Sequence, residues 1–282
     1  MASPEAPTRS AAGFAIRVRD RTGPFDGAAR LVDYWAVVYL RTWKGTVFSS
    51  FLVPLLYILA MGVLLGGFIE GDPAKLDGAT SYLAFVAPGM LAAQTMTTVF
   101  GELTYPVMGM IKWHKTYYSM IATPLTVGDL VMSTLGFVMF RVGTVGAVFI
   151  LVMAPFGVFT SWWGVVVAYF VQLLLGLAFA TPIYALSASI KNETAYGLVF
   201  RLGMIPMFLF SGAFFPISNL NPAMEWLARV TPLWQGVDLT RMLVLGDVEW
   251  PIAVVHVVYL VVLAAWGWWL TVRLLRRRLI ET

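Results

Sequence analysis

Apolar runs of about twenty residues recur along this chain, each long enough to cross a hydrocarbon layer about 30 Å thick as an α-helix rising 1.5 Å per residue. Inside such a layer every backbone N–H and C=O must find a partner within the protein, so runs of this kind fold as helices. Charged side chains make up 12% of the 282 residues, against about 25% in an ordinary soluble domain. Water is therefore not the main solvent. Trp and Tyr gather near the ends of the runs (Trp43, Tyr82, Trp162, Trp163, Trp250, Trp268, Trp269), where an amphipathic ring sits at headgroup level. The expected fold is all-α and integral to the membrane. Six spans are placed at about 47–68, 82–103, 127–152, 162–190, 197–215 and 251–274, after an N-terminal interfacial elbow helix and with re-entrant helices before the last span.

Residues 1–28 are rich in Arg, Pro, Ala and Gly with little apolar periodicity, and read as a flexible or loosely docked cytoplasmic tail. The transmembrane domain is 29–282. Leu31, Trp35, Val38 and Trp43 can share a helical stripe against Arg30, Asp33 and Arg41, the pattern of a helix lying in the interface. Residues 1–45 carry no short apolar core with a cleavage site, so the first span is expected to direct insertion. With the N-terminus inside, fourteen Lys and Arg fall on the inner side and only Lys75, Arg229 and Arg241 on the outer, leaving Arg141 and Arg201 within spans. The positive-inside rule then puts both termini in the cytoplasm. The net charge of +4 reflects topology and is no nucleic-acid footprint.

The chain has no cysteine and two histidines, His114 and His256, which excludes disulfides and thiolate chemistry and leaves no metal or catalytic constellation to name. It has no Gly-x-x-x-x-Gly-Lys-Ser/Thr loop, so no nucleotide is bound through that device and no cofactor is expected on this chain. Energy for any pumping must come from a partner. The basic, aromatic segment Lys112, Trp113, His114, Lys115, Thr116, Tyr117 suits a force-transmitting protein contact, and equally an anchor against lipid phosphate. Arg41 in the elbow joins it as a candidate contact.

Arg141 sits near mid-depth in span three, where a cation is costly unless it faces the bundle, a water cavity or a partner. It can meet an anionic head group or serve a structural pair, including with Gln94 or Gln172. Glu102 and Asp129, placed at the inner ends of spans two and three, lie on the order of 15 Å from it in depth, so pairing with them is not expected. Gln94, Tyr57, Phe210, Phe214 and Phe215 complete the pathway candidates. The segment 209–245 is too apolar for a solvated loop yet broken by Pro and Asn, and reads as re-entrant. His256 reads as a hydrogen-bonded interior histidine without a titrating neighbour.

Tyr82 to Met90 with Pro88-Gly89, then Ala122-Thr123-Pro124-Leu125, then Phe210-Ser211-Gly212-Ala213-Phe214-Phe215-Pro216 with Thr231-Pro232-Leu233-Trp234 and Asp238-Leu239-Thr240-Arg241, resemble the permeases of ABC type-2 exporters. The likeness extends to the permeases of nodulation lipo-oligosaccharide exporters and of daunorubicin-type drug exporters. It covers about 29–278. It implies a bacterial inner-membrane permease, without enzymatic activity of its own, paired with a second permease as homodimer or heterodimer. Two cytoplasmic ATPase subunits would bind the ATP and Mg and contact the elbow and the Trp113 segment. It also implies an amphiphilic or lipid-linked cargo moving outward: drug, glycolipid or lipo-oligosaccharide. The rival readings are a membrane enzyme acting on lipid-linked substrates, for which no nucleophile–base pair stands out, and an accessory membrane protein without transport.

Overall fold

The computed structural model describes residues 26–60, 76 and 78–281. The tail before them, the second part of the expected first span and residues 69–75 and 77 after it lie outside the described residues. The elements are α1 (Asp26–Arg30), α2 (Val32–Tyr57), α3 (Tyr82–Leu103), α4 (Tyr105–Met108), α5 (Thr116–Ile121), α6 (Val127–Met153), α7 (Trp162–Ser189), α8 (Thr194–Val199), α9 (Ile205–Leu209), α10 (Pro222–Val230), α11 (Pro232–Leu245) and α12 (Trp250–Ile280). Among the described residues four helical runs are long and apolar enough to span: Tyr82–Trp113, Val127–Phe156, Trp162–Ser189 and Trp250–Ile280. Two arms meeting at 54°, Gly27–Gly45 and Ser50–Ala60, pass the same test only when taken together. The elbow helix is therefore continuous with the start of span one. Its stripe is seated on α6, with Leu31 and Trp35 buried and the Trp35 indole stacked on Phe137 at 4.5 Å, whereas Trp43 at the far end is exposed.

Two expected boundaries move. Span two does not end at residue 103 but continues through α4 and a π-helical turn, Gly109–Trp113. Pro106 is tolerated because it sits at the first turn of α4, where a missing N–H costs little. The expected fifth span is a shorter apolar helix, Thr194–Leu209, not among the runs long enough to cross, and it stops at Leu209 and not at Phe215. Ser211 donates to the Phe208 carbonyl at 2.9 Å and accepts from Ala213 N–H at 3.3 Å, and Gly212 takes φ +76°, so the chain turns out of the helix there although every neighbour is apolar. The re-entrant stretch that follows is α10 and α11, started by Asn221 and Thr231 side chains that accept from Met224 and Trp234 N–H groups. α11 is buried against α7 and α3, while α10 is largely exposed.

α7 is the centre of the bundle, packed on α12, α11, α3 and α6. Its closest neighbour is α12, where the backbone comes near enough that a Cβ on Gly267 would lie 2.4 Å from Thr181 Oγ1 and 2.8 Å from the Pro182 ring. Thr271 Oγ1 donates across the same contact to the Thr181 carbonyl at 2.6 Å. At the end of α7, Arg278 donates to the Ser187, Ala188 and Ile190 carbonyls, placing a cation on the negative end of that helix. Gly267→Ala is expected to force α12 off α7 and cost about 1–3 kcal/mol, as overpacking does. A drop in the thermal unfolding midpoint in detergent checks it.

Candidate functional site

Between Met90 and Tyr105 the partly or fully exposed positions of span two are Gln94, Thr97, Thr98, Gly101, Glu102 and Tyr105. Their spacing of three and four residues puts them on one helical face. None is aliphatic, while the exposed faces elsewhere carry Phe170, Val166, Val255 and Val262. A polar stripe inside a span has no favourable contact with acyl chains, so this face addresses water or another protein. Thr97 and Thr98 return their hydroxyls to the Gln94 carbonyl at 2.9 and 2.8 Å, which keeps them compatible with a helix in the membrane.

The stripe is flanked on one side by α6 and on the other by the α8–α9 segment. On the α6 side Arg141 donates to Glu102 Oε1 through Nε at 2.9 Å and Nη2 at 2.7 Å, with the side chains 15% and 21% exposed. This overturns the expectation that the two lie at different depths. With span two running on to Trp113, Glu102 is about 16 Å inside the helix end, and Arg141 is about 21 Å from the start of α6 at Val127. On the other side Tyr105 packs on Tyr196 and Phe200, and Phe100 on Phe200, at ring distances of 5.1–6.4 Å. At the far end the Tyr82 hydroxyl donates to the Phe214 carbonyl at 3.2 Å and Phe214 packs on Phe208. Tyr57, Phe210 and Phe215 are half-buried, as are Gln94 and Phe214.

Behind the stripe, Gln172 joins three helices. Its Oε1 accepts from Thr95 of α3 and its Nε2 donates to Thr240 of α11, both at 2.8 Å and fully buried. The residue read as a partner for Arg141 is thus the link holding the re-entrant helix to the bundle. Arg241 of α11 is buried as well, donating to the Gly212 carbonyl at 2.5 Å with its guanidinium 3.9 Å from the Phe85 ring centroid. His256 of α12 is the expected hydrogen-bonded interior histidine, and it has a carboxylate neighbour that was not expected: Nε2 meets Asp238 at 3.0 Å, and Nδ1 meets Gln235 Oε1, whose amide donates to the Arg229 carbonyl. Asp238 stands one turn after Trp234 on α11, a spacing sequence reasoning could have matched to His256 only with the two helices already paired.

At the other end of the span, the segment 112–117 divides in two. Lys112, Trp113, His114 and Lys115 are exposed, and Thr116 is half-buried. Lys112 meets Glu193 at 3.0 Å and holds its carboxyl below the ordinary value, chiefly by that hydrogen bond. Tyr117 is not a surface residue. It is fully buried, its hydroxyl accepts from Tyr184 at 2.8 Å and lies 3.4 Å from Thr134, and burial pushes its pKa up to about 12. Lys115 takes a left-handed conformation, φ 51°, which turns the chain between the π-helix and α5. Asp129 is also structural: its carboxylate accepts from Thr126 N–H at 2.8 Å and Oγ1 at 2.6 Å, closing a capping box at the start of α6. Arg41 is exposed on the elbow.

The family model described as ABC-2 type transporter matches residues 31–245. The chain is similar to nodulation protein J of Rhizobium meliloti, 30% identical over 254 residues that cover 87% of this chain and 94% of the relative. It is likewise 31% identical over 261 residues to nodulation protein J of Rhizobium leguminosarum bv. trifolii, covering 90% and 96%. The relative of that name in Bradyrhizobium diazoefficiens is 29% identical over 256 residues, covering 88% and 94%.

Removing one member of a partly buried, hydrogen-bonded ion pair costs about 1.5–3 kcal/mol, below the range for a fully buried pair. Glu102→Ala and Arg141→Ala are each expected to lower stability on that scale, and the double variant to lose less than the sum. Denaturation of the three variants in detergent reads the coupling directly; additive losses would mean the pair is not formed.

Proposed function

We propose, on the premise that this chain belongs to the ABC-2 type transporter family and is the membrane transport subunit of an ABC exporter, that a separate cytoplasmic ATPase drives it and that it carries an amphiphilic or lipid-linked molecule outward. The observation behind the pathway is the polar face of span two from Gln94 of α3 to Tyr105 at the start of α4, bordered by the Glu102–Arg141 pair. The polar part of the cargo moves along that face, and its apolar part lies toward the half-buried aromatic residues Phe208, Phe210 and Phe214. A second permease covers the stripe, so that water and cargo, and not acyl chains, meet Gln94 and Arg141. Cargo classes with this division are drugs, glycolipids and lipo-oligosaccharides.

Both termini are in the cytoplasm of a bacterial inner membrane, which sets the exposed Lys112, Trp113, His114 and Lys115 against the ATPase, with Arg41 of the elbow beside the membrane surface. The ATP and Mg belong to the partner. Tyr117 serves from within, holding α5 to Thr134 and Tyr184 so that a push on Trp113 is delivered to the bundle.

Co-purification of the chain with its ATPase in lipid nanodiscs tests the reading. Trp113→Ala is expected to weaken docking by at least about 2 kcal/mol, roughly thirtyfold in affinity, as for an aromatic contact centre. Tyr117→Phe is expected to cost about 1 kcal/mol of stability through its lost hydrogen bonds, with docking unchanged. An ATPase recruited equally well by Trp113→Ala would remove the coupling role from this segment, and failure to recruit any ATPase would remove the exporter reading.

A further inference from the structure

Helix α12 has two faces. Leu260, Ala264, Gly267, Thr271 and Leu275 are buried along one side, against α7. At 100° per residue the opposite side reads, in order, three exposed valines (Val255, Val258, Val262), two exposed tryptophans (Trp266, Trp269) and then the exposed Arg273, Arg276 and Arg277. From Val255 to Arg277 this face covers about 33 Å. Its sequence of aliphatic, indole and guanidinium groups follows the section of a bilayer from hydrocarbon through the interface to the headgroups. Arg278, next in the chain, points away from it and caps α7, so helical angle alone separates the structural arginine from the other three.

The three arginines open a groove of about 630 Å³ together with Trp268, Trp269 and Val272. The Arg273 guanidinium lies 5.2 Å from the Trp269 ring centroid, which fixes its position on the tryptophan side of the groove. One carboxylate, Glu281, shares the groove and is ion-paired with Arg277 at 4.0 Å, so three guanidinium groups stand against one carboxylate among the lining residues. Guanidinium forks match phosphate oxygens, and a groove at the end of a lipid-facing stripe is reached along the helix by a lipid.

We propose that this groove binds the headgroup phosphate of an anionic phospholipid in the leaflet at the C-terminal end of α12, with Trp269 packed against the region where headgroup meets acyl chain. The site is separate from the polar stripe of α3 and does not depend on how cargo is moved. Charge complementarity and continuity with the valine stripe favour lipid over a docked protein.

Native mass spectrometry of the full chain, given phosphatidylglycerol and phosphatidylcholine at equal mole fraction, reads the preference. With each arginine near the surface contributing roughly fivefold, the wild type is expected to favour the anionic lipid on the order of a hundredfold. R273Q/R276Q/R277Q is expected to approach parity and R273K/R276K/R277K to keep most of the preference. Added salt should erode the wild-type preference. Thermal unfolding in phosphatidylcholine alone tells a folded variant from a damaged one; were the Gln variant damaged, the Lys variant and the salt dependence decide. A wild type without preference, or a folded Gln variant that retains anionic lipid as the wild type does, overturns the site. So does a Gln variant that keeps its lipid but sheds the ATPase or a second copy of the chain, because the groove would then belong to a protein partner.

Discussion

Polar groups inside the hydrocarbon layer have no water to bond, and the arrangement of this bundle follows from how the chief of them are answered. The amide of Gln172 is spent on two hydroxyls from different helices, Thr95 and Thr240. Thr271 answers the Thr181 carbonyl across the α7–α12 contact, and Arg278 takes up the carbonyls that end α7. Every one of these bonds crosses between elements, and those from Arg278 go to carbonyls that the end of α7 leaves without an intrahelical donor. They fix which helices are neighbours more than they add to stability, since apolar side chains have as good a solvent in lipid as in the protein core. Close backbone approach does the rest, and Gly267 and Gly89 sit where a Cβ would collide with Thr181 or with Ala213.

The polar stripe of α3 is the exception, and it is the surface on which the proposed function rests. Its hydroxyls are satisfied locally and its carboxylate by Arg141, yet the face as a whole stays partly open. A buried polar network such as that around Gln172 is closed on itself and can only hold. An open stripe with one ion pair at its edge can accept a visitor, because its members return to local partners when the visitor leaves.

Hydropathy made the long helices and the helical class legible, and the clustering of Pro and Asn in an apolar stretch marked the re-entrant pair. What stayed hidden was where helices end. Tyr105-Pro106 reads as a loop entry, but proline in a first turn continues the run, and the missed length misplaced Glu102 in depth and so hid its partner. The reverse happened at 210–215, where an apolar sequence kept the span alive on paper while Ser211 and Gly212 turned the chain. Tyr117 was grouped with its exposed neighbours because a short basic and aromatic segment shows no period, and only the fold separates its inward residue from the outward ones. The Asp238–His256 contact was illegible for a simpler reason: 18 residues and a helix boundary separate the two, and no spacing rule joins positions on different helices.

The position of Pro106 ties these threads to motion. A proline cannot donate to the carbonyl four residues earlier, and that carbonyl belongs to Glu102, the residue whose side chain meets Arg141. The backbone ladder of span two is thus interrupted at the level of the ion pair, with Thr104 at φ −90° and ψ −93° outside helical geometry. Below the break lies the short rod of α4 and the π-turn that ends in Trp113; above it lies the stripe. Under the proposed coupling, a push on Trp113 rotates the lower rod about a point where the ladder is reduced to the Thr104-to-Phe100 and Met108-to-Thr104 bonds. The first side-chain contact strained is then the one between Glu102 and Arg141, so the break places the mechanical input and the electrostatic edge of the pathway on the same residue.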